Sequence, residues 1–522
     1  MTRNAKGALA LIILGLVALL SAYYLLEKLT REEQVASSDA AQSKGVIKIG
    51  MDNFTGYFPL CSPRMKQLLL VDGYRLECVD DQANYPARFA DLADGSLDFA
   101  VGTVDAYLLN GRKNNYPGVI VAVLDESKGA DAIVARSSVV SSIGELKGKS
   151  DIKVAFTPNS PSHHFLKVAG VHFDIDFLKD SGGNWRSETD GSSAALKQLL
   201  GNQVDVATLW EPDVSKALAT PGIVKILGSE ETRRLIVDVL IASHRTEADR
   251  PELGQILLAN YFRSLKFYRD NNAEFDKQLA MYAGVSTSQS KALRGGIHWV
   301  TMQENASEWM GVSNSGRAPQ HGLYETIDST LDIQRDVGDF SGNPLPGGDP
   351  RRVMSSRTIG ALFSRGISSS FAGSRSFQTG SPDTALKEFA ALPADGWDRL
   401  RDVGSLKVRP IQFEAGTGKL TRTGKEQIDV AAKVLKSYPN FRIVIEGHTS
   451  SRGDDAVNKT LSQERAAAVR RYLHVTYKID KDRLRALGYG SDRPLARTQG
   501  ESSRAYRSRL PRVELKLVSE VY

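Results

Sequence analysis

The sequence predicts a three-part chain: one N-terminal membrane-spanning helix, a two-lobed α/β body and a compact C-terminal α+β module. Three observations carry this. Residues 7–26 hold no charge. Residues 46–365 alternate short apolar runs with amphipathic stretches, the pattern of a parallel sheet covered by helices. From residue 406 a different pattern begins, with strands set around two amphipathic helices. A chain of 522 residues with 41% apolar content has enough material for several cores. The formal net charge of +6 is too small to point to nucleic acid. There is no Cys/His zinc spacing, phosphate-cradling loop or paired nucleophile and base, so no metal, cofactor or catalysis is expected.

The apolar span "GALALIILGLVALLSAYYLL" makes about 30 Å of helix, enough to cross a bilayer. Arg3 and Lys6 precede it, which favours a cytoplasmic N-terminus and an exported C-terminal bulk. Its apolar core is longer than that of a cleaved signal peptide. Residues 1–45 therefore read as cytoplasmic stub, transmembrane helix (7–26) and polar spacer. An exported body meets oxidising conditions, in which Cys61 and Cys78 either form a disulfide or stay as two buried thiols.

In the body, "VIKIGM", "YRLECVD" and "LDFAVG" read as strands. "CSPRMKQLLLV" opens a helix, and "PARFADLADG" is a helix stopped by Gly95. The pattern repeats through "IKVAFT", "SSAALKQLLGN" and "VDVATLW", so a second half begins near Ile133. Residues 250–310 read as helices. The Ser/Gly-rich "GISSSFAGSRSFQTGSP" makes 366–405 a flexible linker with one short helix. In the module 406–522, "KVRPIQFEAGTGKLT" reads as a strand with a turn and "GKEQIDVAAKVLKSYP" as an amphipathic helix. "FRIVIEGHT" is a strand and "SQERAAAVRRYLHVTY" a second helix. "RLRALGYG" and "RVELKLV" are the last strands.

The ordered motif "IEGHTSSRGDDAVNKTLSQERAAAVRRYL", followed by "RLRALGYGSDRPLA" and "RVELKL", resembles the OmpA-like peptidoglycan-binding domain over 406–518. The resemblance implies a shallow pocket for the diaminopimelate of the peptidoglycan stem peptide. An Asp there meets the ligand's ammonium and an Arg its carboxylate. Arg465 matches the Arg, and its planar fork suits a carboxylate. A helix start at "LSQERA" would add N–H donors beside it. Thr449, Asn458 and Leu461 also match. Ser450 stands where the Asp belongs. Either Asp454 or Asp455 supplies the missing charge from the same loop, or wall binding is weakened, or the fold serves another partner.

The body resembles the periplasmic substrate-binding proteins of the nitrate/sulfonate/taurine type, which serve ABC transporters. The resemblance rests on "NFTGYFPL", "DGSLDFAVGTVDA", "LDESKGADAIVAR", "TPNSPSHHFL", "GNQVDVATLWEPDVSKAL" and "LIVDVLIAS" in that order. It implies a type II-like bilobed periplasmic-binding-protein fold that holds a small solute between the lobes. Ligands in open α/β sheets sit beyond the carboxyl ends of strands, and the candidates occupy those ends. They are Thr55, Gly56 and Tyr57; Thr103 and Asp105; Ser160, Ser162 and His163; Trp210 and Glu211; and Asp238. The helix start at Ser160 and Ser162 favours an anion, whereas Asp105 and Glu211 favour a cationic or hydrogen-bonding heterocycle.

These readings make the chain a non-enzymatic envelope protein. Its expected partners are a small anionic or heterocyclic solute, the peptidoglycan stem peptide, the inner membrane and an ABC permease, with no nucleic acid. The alternative is a sensor or scaffold whose solute-binding module signals to partner proteins.

Overall fold

The computed structural model describes residues 44–149, 151–312, 321–365 and 389–520. The apolar span at 7–26 and the Ser/Gly-rich stretch at 366–382 lie outside them. Among the described residues no helix is long and apolar enough to cross a membrane.

The first lobe is built on β1 (Gly45–Met51), β2 (Tyr74–Asp80), β3 (Phe99–Thr103), β4 (Gly118–Ser127) and, much later in the chain, β10 (Val237–Ser243) and β11 (Ile297–Trp299). Their order in the sheet is β11-β4-β10-β3-β1-β2. β1 runs parallel to β2 and β3, and β10 lies antiparallel between β3 and β4. The second lobe holds β5 (Asp131–Arg136), β6 (Val154–Phe156), β7 (Arg186–Glu188), β8 (Val206–Trp210) and β9 (Ile223–Gly228), in the order β7-β6-β8-β5-β9. The chain crosses between the lobes after β4 and returns before β10.

Local chemistry explains the element ends. Ser62 caps Pro63–Val71 by accepting from the Met65 amide (3.2 Å). Gly95 ends Tyr85–Asp94 at φ +84°, a left-handed conformation suited to glycine. The long helix Pro251–Asp270 buries Leu253, Leu257, Leu258, Tyr261 and Leu265 against the first lobe's core. Cys61 and Cys78 form a disulfide that ties the start of Pro63–Val71 to β2.

The C-terminal module is a four-stranded sheet of β12 (Arg401–Leu406), β13 (Arg442–His448), β14 (Leu484–Gly488) and β15 (Arg512–Ser519), ordered β12-β15-β13-β14. Helices Arg422–Lys436 and Asp455–Tyr477 bury Ile428, Leu435, Ala466 and Leu473 in a cluster with Ile443, Ile445, Leu515 and Leu517. Two expectations are corrected. The first strand lies at 401–406, ahead of the stretch expected to form it. Beyond Pro410 that stretch contributes only an isolated bridge, Phe413 to Leu420. The second helix begins at Asp455 rather than near Ser462, because Asp454 caps it by accepting from the Val457 amide (3.0 Å).

The module sits directly on the second lobe. One apolar cluster runs through both, joining Ile143, Leu146 and Phe173 to Val403, Leu435 and Tyr438. The Tyr438 hydroxyl meets His172 Nδ1 at 2.8 Å, and the Lys407 amide donates to the His172 carbonyl at 2.7 Å. Asn440 donates to the Glu230 carbonyl (2.8 Å). Gly144 and Gly404 let the two backbones approach so closely that a Cβ on Gly144 would stand 2.9 Å from Gly404 Cα.

Candidate functional site

The strand register builds one row of polar groups at the interlobe edge of the first sheet. Asp238, at the start of β10, lies opposite Thr103 at the end of β3 and opposite Asp125 on β4. Asp52 follows β1 directly. The second lobe faces this row with Asp131, which begins β5, and Trp210, which ends β8; the two are in register. Between the lobes these residues enclose a cavity with Phe54, Tyr57, Tyr85, Pro161 and Ile236. It offers about 10 Å³ to the centre of a water-sized sphere, room for a single water. Occupancy by anything larger requires the lobes to part.

Of the sequence candidates, Tyr57, Thr103, Trp210 and Asp238 line this cavity. The Tyr57 hydroxyl donates to Asp238 Oδ1 at 2.5 Å. The others lie near it with their polar groups engaged or turned to structural tasks. Gly56 allows close approach of backbone to carboxylate: a Cβ there would stand 2.7 Å from Asp125 Oδ2, and its carbonyl accepts from Trp299 Nε1 (2.7 Å). Thr55 is buried beside it, its hydroxyl unpartnered. Ser160 donates to the Thr157 carbonyl (2.6 Å), Ser162 accepts from the Thr157 amide (3.2 Å), and the two hydroxyls meet at 3.0 Å. The hydroxyls of the expected anion site are thereby spent on their own turn, while the amides of that helix start carry no side-chain cap. The residue it turns toward the cavity is Pro161, which has no N–H to give.

His163 accepts from the Asn159 amide at Nδ1 (3.3 Å) and packs on Phe156 with ring centroids 4.7 Å apart. Burial, then Lys167 and Arg186, push its pKa well down, so it is a neutral packing group. Glu211 accepts from both the amide and the hydroxyl of Ser215 (3.0 and 2.7 Å), closing the start of Asp213–Leu218. Asp105 sits in the first turn of Val104–Gly111, where burial lifts its carboxyl to about 7 against the opposing pull of Thr103 and Lys167.

Three carboxylates of the site escaped sequence reasoning: Asp52, Asp125 and Asp131. Each flanks or ends an apolar run ("GMD", "VLD", "GAD"), and a carboxylate at the end of a buried strand was the signal to follow. Asp52 is paired: Arg88 Nη2 reaches it at 3.0 Å and bridges to Asp81 at 2.5 Å. Neither oxygen of Asp125 has a well-formed hydrogen bond, nor does Asp238 Oδ2. Burial raises both well above the carboxylate range; the Asp125 charge raises Asp238 further, whereas a hydrogen-bonding contact with Asp238 pulls Asp125 the other way. Burial, then Asp105, Glu211 and Asp52, raise Asp131 to about 7, against a hydroxyl contact from Ser127.

In the C-terminal module, Arg465 lies in the third turn of Asp455–Tyr477 rather than at its start, so the helix-terminal N–H groups are not beside it. Its Nε donates to the Thr417 carbonyl (3.2 Å) and its guanidinium stacks 5.2 Å from the Phe413 ring centre. Asn458 donates to the Arg452 carbonyl (3.0 Å) and holds the loop closed. Thr449 donates its amide to the Gly490 carbonyl (2.8 Å), and its hydroxyl is buried without a partner. Leu461 is half-buried on the same helix, and Ser450 is half-buried at the loop's start. Asp454 is occupied as the cap, and Asp455 accepts from Ser491 (3.2 Å). Both precede Arg465 by about 15 Å along the helix axis. Both carboxylates are thus engaged within their own loop and its neighbour.

Among the described residues, Glu446, His448 and Glu514 have ligand atoms close enough to hold a metal ion. Their carboxylates are already engaged by Arg493, Lys516 and Arg512.

The OmpA family model matches residues 412–508, which contain the loop and Arg465. Over 138 residues the chain is 35% identical to the peptidoglycan-associated lipoprotein of Pseudomonas aeruginosa, covering 26% of this chain and 71% of that protein. The chain belongs to the OmpA family. The OmpA-family module also matches outer membrane porin F of the same organism, at 33% identity over 129 residues. That match spans 25% of this chain and only 36% of the porin. Among solved structures, the alkanesulfonate-binding protein SsuA from Xanthomonas axonopodis pv. citri, bound to MOPS, aligns with 60% of this chain and 98% of its own. Identity is 14% and the TM-score 0.44, which says nothing about the ligand.

Proposed function

We propose that the protein is an envelope-bound solute receptor. The apolar segment at 7–26 anchors it in the inner membrane, the two lobes bind a small solute in the periplasm, and the OmpA-family module holds the peptidoglycan stem peptide. The carrying observation is the interlobe cavity, walled from both lobes by Tyr57, Thr103, Asp131, Trp210 and Asp238. Aromatic walls with a few convergent polar groups are what small-ligand sites require. The Cys61–Cys78 disulfide supports an oxidising compartment. Wall attachment is supported by the OmpA-family relationship and by Arg465, whose guanidinium has no carboxylate partner in the described contacts. The task is binding without catalysis, and delivery to an ABC permease is its simplest use.

A second use, sensing, is favoured by one observation: the OmpA-family module shares a continuous core with the second lobe. A wall-bound module fixed to a lobe that must move for solute entry is suited to report that movement to partner proteins. Two experiments test the receptor. The melting temperature of the full chain in detergent is read against a ligand panel, since a tight ligand raises it. Full chain and Arg465→Ala are compared for retention on isolated sacculi. No ligand response and no retention removes both halves. A permease and ATPase that co-purify with the protein favour delivery over sensing.

A further inference from the structure

The interlobe site is built from acceptors with little to balance them. Asp52, Asp131 and Asp238 line the cavity from both lobes, and no Lys, Arg or His is among the described residues that line it. The nearby cations are committed elsewhere. Arg88 is held between Asp52 and Asp81, and Lys167 is 2.7 Å from Asp339. A sulfonate or carboxylate entering here finds no cation, and any of these carboxyls that ionises repels it at short range in a buried setting, where repulsion is weakly screened. The helix start that could have favoured it turns a proline to the cavity.

Donors in the site are few, the Tyr57 hydroxyl on Asp238 Oδ1 being one. Asp238 is 1% exposed and its Oδ2 has no well-formed hydrogen bond; neither oxygen of Asp125, paired with it across the strands, has one, although Asp238 stands near enough to lower that carboxyl's pKa. Thr103, 1% exposed in the cavity wall, has a hydroxyl without a well-formed hydrogen bond, although it stands near enough to Asp105 to lower that carboxyl's pKa. Buried acceptors without donors are costly. Tyr57, Tyr85 and Trp210 supply aromatic faces in the same wall, and such faces attract cations. The carboxylate oxygens are spread over two lobes. Among the described residues they do not converge tightly enough to form a metal site.

Building on the receptor function proposed above, we infer that the solute is a small organic cation bearing N–H donors, an ammonium or amidinium type, gripped by Asp238 and Asp131 from opposite lobes. One such group supplies both the missing charge and the missing donors, and it draws the two acidic lobe faces together.

The test uses the full chain in detergent, with melting temperature and calorimetric affinity as readouts. The probes are 1,4-diaminobutane, propylammonium and guanidinium; tetramethylammonium, which has charge but no N–H; methanesulfonate; and an uncharged pyrimidine. At least one N–H cation should raise the melting temperature, with tetramethylammonium weaker and methanesulfonate silent. Asp238→Asn should weaken that cation about tenfold or more, as loss of a charged hydrogen bond implies. Asp131→Asn, on the other lobe, serves the same purpose if the first variant does not fold. A response to the sulfonate or the pyrimidine but to no cation overturns the inference and leaves the receptor standing. Silence from every class overturns both. A cation response unchanged in both variants marks surface binding and overturns the inference alone.

Discussion

Asp131→Asn gives the sharpest check on the electrostatics of the cleft. Asp131 is 2% exposed, its amide is held by Ser229 Oγ (3.2 Å), and burial with Asp105, Glu211 and Asp52 nearby raises its carboxyl to about 7. In an unfolded chain the same group titrates near ~3.9. Between these values the folded state keeps a proton that the unfolded state has released. Stability therefore falls as pH rises through the window, by about 1.4 kcal/mol per unit, and levels off above the folded value. The whole penalty is about 4 kcal/mol, of which about 2.3 kcal/mol accrues between pH 5 and pH 7. Asparagine carries no charge at any pH and escapes it. Melting of the full chain and of Asp131→Asn is followed at pH 5, 6, 7 and 8. The variant should gain on the parent by about 2–3 kcal/mol between pH 5 and pH 8, most of it by about pH 7. A difference between the two proteins that stays flat across this range refutes the argument, because it means that Asp131 is already ionised at pH 5 and held by a compensating partner.

Arg465→Ala should lose retention on sacculi, while Arg493→Ala, whose guanidinium lies over Tyr489 beside Glu446, should keep it. Equal retention of the Arg465 variant and the parent removes that residue from the wall site. Gly144→Val places a side chain where Gly404 Cα now approaches. It should unseat the OmpA-family module from the second lobe, seen as a larger maximum dimension in small-angle scattering and faster proteolysis after Arg399 and Arg401. Unchanged scattering means that the seam yields locally. The Cys61–Cys78 bridge closes a sequence separation of 17 residues, so its removal by Cys61→Ser with Cys78→Ser should cost about 3 kcal/mol, measured as a lower melting temperature of the first lobe.

The fold was legible where one segment carries its own signal. The loop and helix over 445–473 form a contiguous motif, and the module they imply is present. The helix start was misread because "LSQERA" looks like an opening, although Asp454 and Asp455 stand earlier at a stronger capping position. In the cleft, the strand-end rule brought Tyr57, Thr103, Trp210 and Asp238 to the cavity. It could not tell a free polar group from one already used. Ser160, Ser162 and Glu211 look equally available in sequence, and only the bonds to Thr157 and Ser215 remove them. Asp125 was hidden for the opposite reason, since it gains meaning only when β10 inserts between β3 and β4 and brings Asp238 into register with it.

The seam between the second lobe and the OmpA-family module was not legible at all, and its chemistry explains why. Phe173 and Tyr438 are each consistent with a private core in their own domain, and pattern alone cannot assign an apolar residue to a neighbour's core. Their rings meet 5.6 Å apart across the seam, and the Tyr438 hydroxyl finds His172. Reach from a Ser/Gly-rich linker is a property of the linker only while its two ends are free of each other. Here Gly144 and Gly404 bring the backbones together and the apolar cluster continues from one domain into the next. The OmpA-family module is therefore carried by the second lobe, and any motion that parts the lobes moves the module relative to the first lobe.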